Sequence, residues 1–173
     1  MKKRALSIFM LLGLFLLINS VDAKVINCGN DYDCFLNASV NCEKSKVEVI
    51  ESEQFEYIIF DVRTQMRIKG MKKDNCIFSV KNQKINLMVN ETLLDEFIQN
   101  NTELNITILD KKDIKKLVRN FNNQLKQYKD ISGTCKLLPS QLTSLLKTWE
   151  FGFFNNQTET QIEGCKGRFF RAF

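Results

Sequence analysis

The chain has 173 residues, a formal net charge of +5 and no histidine. The absence of histidine excludes Ser-His-Asp and Cys-His catalysis and removes the commonest metal ligand. The small excess of positive charge does not by itself indicate nucleic-acid binding.

The first 23 residues have the layout of a secretory signal peptide. Residues 2–4 are Lys-Lys-Arg, and an uncharged apolar run follows over residues 5–18. Val21 and Ala23 then occupy the −3 and −1 positions of a predicted cleavage site. The apolar run is shorter than the ~20 residues of a membrane-spanning helix. We therefore predict cleavage after Ala23, with an uncleaved N-terminal membrane anchor as the alternative.

The predicted mature chain, residues 24–173, is long enough for a single disulfide-bonded domain with a hydrophobic core. Cleavage removes three positive charges and one negative charge, which lowers the net charge from +5 to +3. This part of the chain contains all six cysteines: Cys28, Cys34, Cys42, Cys76, Cys135 and Cys165.

An even number of cysteines behind an export signal predicts three disulfides. Fifteen pairings are open, and we favour Cys135–Cys165 as one pair because it would clamp the C-terminal helix. A zinc site is the competing interpretation. It is disfavoured because the chain has neither a Cys-x-x-Cys motif nor a histidine.

Alternating apolar residues predict an antiparallel sheet. Residues 46–51 form a short predicted strand, and residues 54–69 form the longest one. Within the latter, apolar and polar side chains alternate over residues 62–69, which is typical of a strand with one face on a core.

A predicted turn over residues 70–75 leads into a strand that pairs back over residues 76–80. The apolar alternation changes phase before Ile85. We therefore expect a bulge or a second turn near Asn82 and Gln83.

Helical segments follow these strands. Asn90 is the predicted N-cap of a helix over residues 91–99, and Asp110 of a longer helix over residues 111–129. A last helix is predicted over residues 140–149. The long helix has its apolar residues on one predicted face: Ile114, Leu117, Val118, Phe121, Leu125 and Tyr128.

The order of these segments predicts an α+β fold. In this prediction, an antiparallel sheet of three to four strands is followed by two or three helices that pack on one face, and disulfides staple the domain. Before the sheet, Asp31 is expected to cap a further short helix within the cysteine-rich segment over residues 28–42.

Carboxylates are the remaining candidates for catalysis in a chain without histidine. Four of them cluster along the first predicted hairpin: Glu51, Glu53, Glu56 and Asp61. A pair of carboxylates is the arrangement that glycan hydrolases use. Exposed acids on a solvated strand edge are the competing interpretation.

The long predicted helix carries a dense set of cations. We consider five of them candidates for contact with an anionic surface, such as lipid headgroups or wall polymers: Lys111, Lys112, Lys115, Lys116 and Arg119. The competing interpretation is the solvated face of a helix that docks by its other side. The aromatic tail over residues 167–173 either contacts a membrane interface or a partner, or is a terminal strand or strap buried on the core.

Several short motifs of the chain together carry a resemblance to one group of proteins. The motifs are Cys28-Gly29 with Asp31 and Cys34-Phe35, Cys42, Lys46-Val47, Ile68-Lys69-Gly70, Cys76, Gly133-Thr134-Cys135-Lys136, Leu145-Leu146 with Trp149, and Gly164-Cys165-Lys166-Gly167. Their pattern resembles a set of uncharacterised small exported prokaryotic proteins with six cysteines. The resemblance implies a shared disulfide scaffold and no particular activity, ligand or catalytic residue.

From these observations we expect a non-enzymatic module of the cell envelope or extracellular space, secreted or periplasmic. A small carboxylate-dependent glycan hydrolase and a peripheral membrane-surface protein are the alternatives. We expect no cofactor, no metal and no nucleic-acid partner. The candidate partners are an anionic envelope surface and another exported protein.

Overall fold

The computed structural model describes residues 24–103, 110–149 and 163–171, so the predicted signal peptide lies outside the described residues. The elements in chain order are β1 (Ile26–Asn27), α1 (Tyr32–Val40), β2 (Ser45–Phe55), β3 (Ile58–Lys72), β4 (Asn75–Val89), α2 (Glu91–Glu103), α3 (Lys111–Leu125), β5 (Ser132–Leu137), α4 (Pro139–Trp149) and β6 (Cys165–Gly167). Short 3₁₀ helices follow α3 and β6, over Lys126–Tyr128 and Arg168–Arg171.

The six described strands form one mixed sheet whose spatial order is the chain order. β1 runs parallel to β2, and the other neighbouring strands of the described sheet are antiparallel. The centre is a long hairpin of β3 and β4, which have 15 residues each. Strands that follow one another along the chain are therefore neighbours in space, which is the commoner arrangement in folded domains.

One face of the sheet is buried and the other is open. Side chains that alternate along β3 and β4 point to the buried face, and Met66 pairs in register with Val80 while Ile68 pairs with Phe78. Helices α1 and α4 lie together on this face. The Tyr32 hydroxyl donates a 2.7 Å hydrogen bond to the carbonyl oxygen of Leu146 at their interface.

Aromatic rings fill the core beneath these helices. The ring centroid of Phe78 lies 6.5 Å from that of Phe35 and 5.9 Å from that of Trp149. Gly133 of β5 provides space for the next ring, since a Cβ atom there would lie 2.2 Å from Cε2 of Phe170. Phe169 is fully buried beside it, so the segment after β6 closes one end of the core.

Three disulfides join the six cysteines, which confirms the predicted number and includes the favoured Cys135–Cys165 pair. Cys28–Cys34 closes the turn that leads into α1. Cys42–Cys76 ties the end of α1 to the start of β4, and Cys135–Cys165 joins β5 to β6 across a register pair. The disulfides therefore anchor α1 and the terminal strands to the central hairpin.

The α+β prediction is confirmed. The prediction of three to four strands, all antiparallel, is wrong in both the number and the direction of the strands. The sheet has six strands, it includes a parallel pair, and α1 precedes most of it. β1 and β6 have only two and three residues, which is too short for a periodic signal. In β5 the inward positions include Gly133 and Cys135, which carry little apolar pattern.

Strand boundaries also differ from the prediction, most clearly in the first hairpin. The chain turns at Glu56 and Tyr57, so residues 54–55 belong to β2 and β3 begins only at Ile58. Glu56 adopts a φ of 51°, a left-handed conformation that sequence patterns do not predict for glutamate. The predicted irregularity near Gln83 is confirmed, because the register skips this residue between the pairs of β3 and β4.

The predicted apolar face of α3 is only partly buried. Ile114 and Val118 are buried, whereas Leu117 and Phe121 are 43% and 53% exposed. The cause is that α3 lies along the edge of the sheet, at the end of β4, where a helix contacts fewer neighbours than it would on the sheet face.

We expect the Cys42–Cys76 disulfide to stabilise the fold more than Cys28–Cys34, because it closes a longer loop. The separations are 34 and 6 residues. The chain-entropy relation then gives losses of about 4 and about 2 kcal/mol on removal. Urea denaturation of the paired alanine variants measures both free energies of unfolding, and equal losses would contradict this ranking.

Candidate functional site

The structure divides the five predicted anion-contacting residues of α3 into two groups. Lys111 and Lys115 face α2 and are paired with its acids. The Lys111 Nζ atom lies 2.7 Å from Oδ1 of Asp95 and 3.0 Å from Oε2 of Glu91. The Lys115 Nζ atom lies 2.7 Å from Oε1 of the same glutamate. These two lysines therefore link α3 to α2 through exposed salt bridges, and the two acids partly balance their charge.

Lys112, Lys116 and Arg119 form the second group, which we call the α3 basic surface. They lie four and three residues apart, so they share one side of the helix, and all three are exposed. None of them forms a salt bridge within the described part of the chain. Of the five predicted residues, these three present positive charge to solvent.

An asparagine attaches α3 to the sheet. β5 covers the edge of β4 only up to Lys81, so the backbone beyond that point needs another partner. The Asn122 side chain accepts a 2.7 Å hydrogen bond from the Leu87 N–H and donates a 2.8 Å bond to the Leu87 carbonyl. The amide thereby takes the place of a neighbouring strand and blocks an exposed edge.

The four predicted carboxylates are not brought together. Glu53 and Glu56 are exposed at the β2–β3 turn. The register places Asp61 and Glu51 on opposite faces of the sheet. The Asp61 carboxylate also already has a charged partner, because it forms a salt bridge with the Lys84 ammonium.

Glu51 instead borders a cleft between β2, α1 and α4. The cleft has a volume of about 600 Å³, and its lining includes Asp31, Asp33 and Trp149. Asp31 caps α1, since its carboxylate accepts a 2.9 Å hydrogen bond from the Cys34 N–H. The cleft therefore places the carboxylates of Asp31, Asp33 and Glu51 beside the indole ring of Trp149. The sequence pattern did not indicate this arrangement.

The described part of the aromatic tail belongs to the core. Phe169 is fully buried, and its ring centroid lies 6.4 Å from that of Trp149. The Phe170 ring stacks on the same indole at 6.4 Å and 22°. Phe173 lies outside the described residues. These two aromatic side chains act as a buried strap and not as an exposed membrane contact.

A further group of cations, which the sequence analysis did not single out, lies on the open face of the sheet. One register row crosses five strands through Lys46, Arg67, Ser79, Thr134 and Lys166. The polar alternation of β3 was a partial signal for this row. Its continuation could not be recognised because β5 and β6 were not predicted as strands.

The described residues contain no group of cysteines, aspartates or glutamates arranged to hold a metal ion. Within the same residues, no helix is long and apolar enough to cross a membrane. No family model, curated protein or solved structure matches the chain.

The contacts between α2 and α3 change the titration of both partners. The Lys115 ammonium, followed by that of Lys111, lowers the pKa of Glu91. The carboxylate of Asp95, followed by that of Glu91, raises the pKa of Lys111. The folded-state pKa of Glu91 lies below its unfolded value. Its stabilising contribution is therefore present above the unfolded pKa and is lost as the pH falls through the folded-state pKa.

We expect the Lys115→Met substitution to raise the pKa of Glu91, because it removes the larger cause of the shift. An NMR titration of the side-chain carboxyl carbons measures this value directly. Lys112→Met is the matched control on the same helix, since Lys112 makes no salt bridge with the described side chains of α2, residues 91–100. A pKa that responds equally to both substitutions would exclude the specific pairing.

We expect the Asn122→Ala substitution to destabilise the protein by about 1–3 kcal/mol, because it leaves both polar groups of Leu87 without this partner. Hydrogen exchange at the Leu87 amide should accelerate at the same time. Asn123→Ala is the control, since Asn123 is exposed and bonds only Lys126 among the hydrogen bonds described. An unchanged exchange rate at Leu87 would show that Asn122 does not protect the edge.

Proposed function

We propose that the mature chain is an exported, non-enzymatic binding module of the cell envelope or extracellular space. The observation that supports this most directly is the pairing of all six cysteines. Structural disulfides indicate an oxidising compartment, because thiols are kept reduced in the cytosol. The signal-like pattern of residues 1–23 supports export independently. The proposed location is secreted or periplasmic, or membrane-anchored if the signal is not cleaved.

The distribution of charge supports binding as the activity. Two separate surfaces, on α3 and on the open face of the sheet, present cations that have no acidic partner within the described chain. Each is carried by regular secondary structure, which holds its side chains at fixed spacing without a large ordering cost. An anionic component of the envelope is the partner class that both surfaces fit.

A carboxylate-dependent glycan hydrolase is the second candidate, and the cleft beside Trp149 is the observation that favours it. Asp33 and Glu51 both line this cleft. Two carboxylates beside an aromatic ring form a combination that suits a sugar substrate. This candidate needs one of the two acids to donate a proton and the other to act as base or nucleophile.

A peripheral membrane-surface protein is the third candidate. It is supported by Leu117 and Phe121, which are exposed on α3, the helix that also carries the α3 basic surface. Apolar and cationic side chains on one helix are typical of contact with an anionic bilayer.

The first test is the intact mass of the chain from a secreting bacterial host, alkylated with and without prior reduction. We expect a soluble species that begins at Lys24 and takes up alkylating reagent only after reduction, because all cysteines are paired. A product that retains Met1 in the membrane fraction, or one with reactive thiols, would contradict the proposed free module.

The same preparation tests the second candidate. We expect no release of reducing ends from cell-wall glycan. If glycan were cleaved, and if Glu51→Gln or Asp33→Asn abolished the cleavage while the exposed Glu53→Gln did not, the non-enzymatic proposal would be overturned in favour of the hydrolase.

A further inference from the structure

We propose that the open face of the sheet binds an extended acidic polysaccharide. This inference rests on the proposed function, because it names the ligand class of the binding module and the surface that holds it. It differs from the prediction drawn from the sequence, which placed anion contact on α3.

The charge of this face is unbalanced. Three acids on or beside this face are each paired with a cation: Glu48 with Arg63, Asp61 with Lys84, and Asp130 with Lys81. The following cations on the face form no salt bridge within the described chain: Lys46, Arg67, Lys69, Lys136 and Lys166. The end of the face where β3 finishes and β4 begins therefore carries an excess of positive charge, whereas the charges of Arg63 and Lys84 farther along the hairpin are balanced by paired acids.

A groove lies within the positive part of the face. It has a volume of about 400 Å³ and runs over β3, β4 and β5. Its cations are Arg67, Lys69 and Lys81, and no carboxylate contributes to its lining. The remaining polar side chains of the groove supply neutral hydrogen-bonding groups: Gln65, Ser79, Ser132 and Thr134.

The spacing of the cations fits an extended ligand. Neighbouring strands are about 4.8 Å apart, so the row from Lys46 to Lys166 spans about 19 Å across five strands. Lysine or arginine occupies both ends of the row, and hydroxyl side chains occupy its centre. A single small anion would contact only part of this row, whereas a linear polymer can contact all of it.

The combination of cations and hydroxyls along the row favours a polysaccharide over other polyanions. Acidic sugars carry anionic groups and hydroxyls along the same chain, which matches both kinds of side chain. A single-stranded nucleic acid is disfavoured, because none of the residues that line the groove is aromatic and bases need stacking partners. A bilayer is disfavoured because the groove presents cations and hydroxyls without an apolar side chain that reaches solvent, since Val80 is buried.

The experiment measures binding of fluorescent dextran sulfate to the disulfide-bonded mature chain, with uncharged dextran of equal length as the ligand control. We expect binding of dextran sulfate that weakens with added salt, and no binding of dextran. The triple variant R67Q/K69Q/K166Q should lose affinity by about ten-fold or more, because it removes three unpaired charges from the face. These side chains are exposed, so the variant should keep its three disulfides and its thermal stability.

The matched control is K24Q/K126Q/K147Q, which removes the same charge from exposed positions outside both the sheet face and the α3 basic surface and should leave the affinity unchanged. Equal losses in both variants would mean attraction to net charge only and would overturn the inference. A single-stranded oligonucleotide and phosphatidylglycerol vesicles are tested as competing ligands. If either binds more tightly than dextran sulfate, and the sheet variant loses that binding, the polysaccharide inference is overturned in favour of that ligand.

The outcome is separable from the test of the proposed function. A correctly exported, disulfide-bonded chain that binds no dextran sulfate overturns the polysaccharide site and leaves the binding module in place. Hydrolysis of wall glycan overturns the non-enzymatic module whatever the sheet face binds.

Discussion

The pairing of β3 with β4 is the interaction on which the other elements depend, because it creates the surface against which they pack. Its register directs Met66 and Val80 to one face, where α1 and α4 bury them. The same register directs Arg67 and Ser79 to the opposite face. Since side chains alternate with a period of two, a slip of one residue would exchange the two sets. The core and the basic face are thus two consequences of one register.

Local chemistry explains which parts of the fold could be predicted. The caps Asp31, Asn90 and Asp110 were predicted correctly, and each side chain accepts a hydrogen bond from a backbone N–H three residues later. The bulge at Gln83 was equally local, since it appears as a change of phase within one segment. β6 could not be predicted, because three residues become a strand only through their pairing with β5.

The candidate sites were harder to predict, because their decisive partners are distant in sequence. Lys111 and Lys115 look like free surface cations until Glu91 is placed beside them by the packing of α2. Glu51 looks like one member of a hairpin cluster, whereas its sheet face turns it toward Asp33 in a cleft. In both cases the residue types were identified correctly, but the side chains beside them were not. Only the tertiary structure determines which side chains lie together.

The placement of the disulfides explains how the domain tolerates an unbalanced positive face. Like charges held on one surface repel each other and oppose compaction. Lys136 and Lys166 each follow directly after a cysteine of the bond that joins β5 to β6, and this bond resists separation of the two strands. A three-residue edge strand would otherwise be weakly held. Retaining uncompensated cations at the place where the chain needs a covalent link is a stability cost, which the proposed binding of an acidic polysaccharide would offset.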